Sequence, residues 1–95
     1  MPQMRLNHYL TYKKVILYRV VNQKIRYYSI ELTPTLFGEM LLTRKYGGLK
    51  NKKPTRVIKE YFSSVEDSIN AFESIFSLKQ KKGYSLNNYE VNWFL

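Results

Sequence analysis

Between Ser63 and Gly83 the apolar residues recur with the period of an α-helix, while in the chain before them they alternate with the period of a β-strand. That division constrains the fold more than any other feature. Val65, Ile69, Phe72, Phe76 and Lys79 follow a four-three-four-three spacing, and Ala71, Ile75 and Leu78 widen the stripe. Ser63-Ser64-Val65-Glu66 has capping-box spacing, in which the Ser63 hydroxyl accepts from the third helical N–H and Glu66 reaches back. Glu66 and Asp67 suit the positive end of the helix dipole, and Lys79, Lys81 and Lys82 suit the negative end. Gly83 is placed to end the helix in the left-handed conformation, with Tyr84 packing back on Leu78 as in a Schellman motif. The spacing predicts one amphipathic helix over Ser64 to Lys82, whose stripe needs a sheet to cover it.

The alternating segments supply that sheet. Lys14 to Val21 is β-branched or aromatic almost throughout and reads as a strand with Arg19 facing out. Asn22-Gln23-Lys24 turns the chain into Ile25 to Leu32, where Tyr28, Ile30 and Leu32 share one face and Tyr27, Ser29 and Glu31 the other. Pro34 removes a ladder donor and restricts Thr33, so a loop through Leu36-Phe37-Gly38 follows. Glu39 to Tyr46 is a third strand, with Met40, Leu42, Arg44 and Tyr46 on one side, and Gly47-Gly48 ends it by supplying turn conformations. Lys50 to Pro54 is a polar, basic loop. Thr55 to Phe62 is a fourth strand with Val57 and Tyr61 opposite Ile58 and Phe62, and Tyr89 to Leu95 reads as a last strand or extended tail. The expected architecture is α+β: a twisted, mostly antiparallel sheet of four to five strands with one long amphipathic helix on one face. Residues 1–13 read as a loosely ordered N-terminal arm and residues 14–95 as a single domain.

Composition narrows the function. The chain has no cysteine, so packing alone must hold the core, and nine Tyr, five Phe and one Trp supply large apolar side chains for it. Its longest apolar run, Val15 to Tyr18, is far too short to cross a bilayer, and no signal-peptide pattern is present, so the expected location is the cytoplasm. His8 is the one histidine, Ser63 and Ser64 have helix-start roles, and the carboxylates are scattered. No nucleophile and base, metal-ligand spacing or phosphate-cradling glycine loop stands out, so neither catalysis nor a cofactor is expected. Sixteen Lys and Arg against seven Asp and Glu leave a formal charge of +9, which favours polyanionic partners. From Arg44 to Lys59 the chain carries Arg44, Lys45, Lys50, Lys52, Lys53, Arg56 and Lys59 without an acidic residue among them. Such a run suits phosphate contacts; it also suits a solvated loop whose lysines guard a sheet edge.

Arg26-Tyr27-Tyr28-Ser29-Ile30-Glu31-Leu32, Leu36-Phe37-Gly38, Leu41 to Leu49, and the segment from Ser63 to Tyr84 together resemble the bacterial form of the WGR domain. In that family an aromatic strand, a Leu-Phe-Gly loop, a Trp-Gly-Arg turn and a helix ending in Lys-Lys-Gly-Tyr follow in this order, and the likeness spans about Val15 to Tyr84. The departure falls on the name-giving motif, where this chain has Tyr46-Gly47-Gly48. In poly(ADP-ribose) polymerases the Trp and Arg of this turn contact DNA near a strand break. The resemblance implies nucleic-acid binding, to DNA or RNA, and the basic run beside the turn gives the surface expected to carry it: Arg44, Lys45, Tyr46, Lys50, Lys52, Lys53 and Arg56. Tyr46 could stack on a sugar or base or pack within the domain, and Gly48 has no guanidinium for phosphate. The rival expectation is a protein-interaction module that docks on an acidic partner.

Overall fold

A computed structural model describes residues 12–86. Four strands, β1 (Lys13–Val21), β2 (Lys24–Pro34), β3 (Met40–Gly48) and β4 (Arg56–Phe62), precede one helix, α1 (Val65–Lys81). The strands form one antiparallel sheet in the order β1-β2-β3-β4, and α1 packs on one face of it, the α+β architecture the sequence predicts. Residues 1–11 and the expected last strand, Tyr89 to Leu95, lie outside the described residues.

Register follows from the turns. Asn22 (φ 52°) and Gln23 (φ 67°) both adopt left-handed backbone, the requirement of a two-residue type I′ hairpin turn. Val21 then pairs with Lys24, which belongs to β2 and not to the turn. From that point the ladder sets Leu17 against Tyr28, Tyr28 against Tyr46, and Tyr46 against Arg56. Because side chains alternate between faces, all four lie on the helix side of the sheet. So does Arg19, which faces the end of α1 where the sequence pattern had it facing outward; its guanidinium carbon lies 5.9 Å from the Tyr84 ring centroid.

Leu17, Tyr28, Ile30, Leu32, Met40 and Leu42 from the sheet and Phe72 from the helix are buried together. Val65, Ile69, Ala71, Ile75 and Phe76 flank this cluster, but Leu78 is exposed, so the helical stripe is narrower than its spacing suggests. Ser68 is fully buried on the same side, where its hydroxyl donates to the Val65 carbonyl at 2.6 Å. A small, internally satisfied residue lets the helix sit close to the sheet.

The cap lies one residue later than the sequence pattern places it. β4 keeps the chain extended through Phe62, and Ser64 (φ −108°, ψ 129°) accepts from the Asp67 N–H at 3.2 Å. Ser63 is exposed and the acidic residue at the third helical position is Asp67, not Glu66. At the other end Gly83 (φ +102°) donates to Gln80 and Tyr84 donates to Lys79, the two bonds of a Schellman motif. Tyr84 then packs on the core beside Tyr28, not on Leu78. Ser85 exchanges two backbone hydrogen bonds of 2.8 Å with Tyr18 on the outer edge of β1. Among the described residues, no helix is long and apolar enough to cross a membrane.

Two substitutions check this account by urea denaturation. Ser64→Ala is expected to cost about 1 kcal/mol through removal of the cap while Ser63→Ala leaves stability near that of the unmodified protein. Phe72→Ala is expected to cost about 3 to 5 kcal/mol, since its ring fills the space between helix and sheet.

Candidate nucleic-acid interface

The two ends of the sheet differ in character. One carries the β2–β3 turn, with Leu36 and Phe37 almost wholly exposed and Thr35 accepting from the Phe37 and Glu39 N–H groups. The other carries the Asn22-Gln23 turn and the Leu49–Thr55 loop, joined by a 2.9 Å hydrogen bond from the Leu49 N–H to the Ile25 carbonyl. Lys50, Lys52 and Lys53 are exposed on that loop.

Arg44 and Tyr46 project from β3 on the helix side, and Arg56 opens β4 directly opposite Tyr46. Tyr46 and Arg56 stand at the basic end of the sheet, and Arg44 lies one row further in on the same face, between Ile30 and Ile58. Lys45 points to the reverse face, where it is exposed, and stands apart from them. Tyr46 is half-buried and stacks on Tyr28, with centroids 5.2 Å apart and planes 4° from parallel, so one role of its ring is packing. The Tyr28 hydroxyl accepts from Arg44 Nη1 at 3.3 Å and the Tyr84 ring meets Tyr28 edge-on at 5.9 Å.

The helix contributes cations that the sequence pattern assigns to its dipole. Lys79 Nζ lies 4.5 Å from the Tyr28 ring centroid, a cation–π contact. Partial burial pushes its ammonium below the usual lysine value, and the neighbouring charges of Lys82 and Arg44 push the same way. Sequence spacing could not disclose this meeting, because it depends on the angle at which α1 crosses the sheet. Among the described residues no cluster of His, Cys, Asp and Glu could hold a metal ion.

The WGR domain family model matches residues 13–90, and the chain belongs to that family. WGR domains are in general nucleic-acid-binding modules without catalytic activity. The chain is also 36% identical over 59 residues to "Uncharacterized protein y4dW" of Sinorhizobium fredii (strain NBRC 101917 / NGR234), an alignment covering 62% of this chain and 28% of that protein. The chain thus matches well under a third of that relative's length. No solved structure matches it.

Within the Tyr46-Gly47-Gly48 segment the two glycines differ. Both lie in the β3 ladder, opposite Tyr27 and Arg26, and neither has positive φ, so turn conformation is not what they supply. A Cβ on Gly47 would sit 2.8 Å from the Thr55 backbone nitrogen, which the Tyr46 carbonyl holds in place at 2.8 Å. At Gly48 a Cβ would meet the Asn51 side-chain nitrogen at 3.1 Å, and that amide can swing aside. Gly47→Ala is therefore expected to destabilise by about 1 to 3 kcal/mol through overpacking, and Gly48→Ala by much less, as read from thermal melts.

Proposed function

We propose that this WGR domain binds nucleic acid, DNA or RNA, on the basic end of its sheet. The Lys50, Lys52 and Lys53 loop contacts phosphates, while Arg44, Tyr46 and Arg56 line the adjoining helix-side surface. The observation that carries this reading is the convergence of Arg44, Tyr46 and Arg56 on one face beside an exposed loop whose charges are all positive. Arginine and lysine at this density attract phosphate without base specificity, and each neutralised phosphate releases counterions. Tyr46 has one ring face on Tyr28, so any stacking on a base or sugar uses the other. The missing arginine at position 48 removes a guanidinium from the turn, and the loop lysines and Arg56 replace its charge but not its forked geometry.

Replacing Lys50, Lys52 and Lys53 together by Gln should flatten the logarithmic salt slope of binding by about one unit for each phosphate no longer neutralised. Lys13, Lys14 and Lys59 make the matching control. The first two lie at the far end of β1 and Lys59 lies on the reverse face of β4, whereas Lys24 borders the same end as the loop. Fluorescence anisotropy with duplex and single-stranded probes reads both triples, whose net charge falls equally. Equal weakening by the two would sink the loop assignment, and no binding by the unmodified protein at low salt would favour docking on an acidic protein. Gly48→Arg is expected to fold, because a Cβ there meets only the movable Asn51 side chain, and to steepen the slope by about one unit.

A further inference from the structure

Five cations from four elements lie on the helix side of the sheet. Arg19 comes from β1, Arg44 from β3, Arg56 from β4, and Lys79 and Lys82 from the last turn and cap of α1. Tyrosines form the floor beneath most of them. Lys79 lies over Tyr28, Arg44 donates to the Tyr28 hydroxyl, and Arg19 lies over Tyr84. Among the described residues the one ion pair, Lys13 with Glu73 at 2.9 Å, is near the other end of β1. Glu60, the carboxylate on this face of β4, stands opposite Leu42, one row away from Arg44, and pairs with none of the cations.

Helix-dipole complementarity accounts for one or two lysines in the last turn. It does not account for an arginine of the adjacent strand set against them. Folding brings Arg44 and Lys82 near Lys79, whose ammonium is depressed chiefly by partial burial and further by these two positive neighbours. An arrangement that opposes its own charge, with no carboxylate to relieve it, is a common mark of a site for an anion.

We propose that Arg44, Lys79 and Lys82 form a phosphate-binding site over Tyr28, distinct from the loop lysines, which holds a second stretch of nucleic-acid backbone on the α1 side of Tyr46. Resting on the reading of the domain as a nucleic-acid binder, it assigns the end of α1 a direct role in binding. Arg44 supplies a fork that can grip two phosphate oxygens, and the lysines act as point charges on either side. The Tyr28 hydroxyl and ring fix Arg44 and Lys79 in place before the ligand arrives, which lowers the ordering cost of binding.

The test compares Lys79→Gln/Lys82→Gln with Lys14→Gln/Lys59→Gln, an exposed pair on the reverse face, using a short blunt DNA duplex across a salt series. The first variant should flatten the salt slope by about two units and the second should change it far less. Lys79→Arg/Lys82→Arg should keep the slope, which separates charge from helix stability, and circular dichroism melts establish that each variant is folded. An unchanged slope in the Gln variant, with the loop triple still flattening it, would overturn this site and leave the loop reading standing. A titration of the unmodified protein with inorganic phosphate, followed by NMR at the Arg44 side chain and the amides from Lys79 to Tyr84, gives the independent arm. Saturable shifts there in a protein that binds no duplex would retain the anion site and remove the nucleic-acid reading; absence of shifts together with an unchanged slope would end the proposal.

Discussion

Tyr28 is the contact on which the basic end of this domain's sheet depends. Its ring is buried at the centre of the sheet and meets Tyr46 of β3 face to face, Tyr84 of the helix-terminating motif edge to face, and the Lys79 ammonium above. Aromatic pairs of this kind add about 0.5 to 1.5 kcal/mol each beyond area burial, and a cation–π contact adds a similar amount. Together these contacts fix where α1 ends relative to β3. The Schellman hydrogen bonds set the direction of the chain at Gly83, and the packing of Tyr84 on Tyr28 sets its position.

That anchoring has an electrostatic consequence. A helix crossing the sheet at another angle would carry Lys79 away from the Tyr28 ring and from Arg44. Here partial burial and the cationic neighbours Lys82 and Arg44 depress the Lys79 ammonium, while its contact with the Tyr28 ring holds it against the sheet. Lys79 and Arg44 are thus held by Tyr28 and not by a carboxylate. The Lys13–Glu73 pair, exposed and near the opposite end of β1, is a surface bridge of little energetic weight.

The Tyr46-Gly47-Gly48 segment separates what the fold requires from what a ligand requires. Gly47 is demanded by the backbone of Thr55, which lies too close to admit a side chain. At position 48 a Cβ would meet only the movable Asn51 amide.

The sequence by itself determined the element order, the faces of β2, β3 and β4, and the extent of α1, because period-two and period-3.6 patterns report directly which side of each element meets the core. It also determined the concentration of positive charge between Arg44 and Lys59, and the likeness to the WGR family that the family match bears out. Its errors were local. Ser63 and Ser64 offer the same hydroxyl one residue apart, and only the length of the β4 ladder decides which of them caps the helix. Leu78 fits the stripe by spacing yet lies beyond the edge of what the sheet can cover. Arg19, Lys79, Lys82 and Arg44 lie far apart along the chain, and nothing local links them. The register of the β1–β2 turn and the crossing of α1 over Tyr28 bring them to one surface, since both depend on packing between elements and not on the pattern within any one of them.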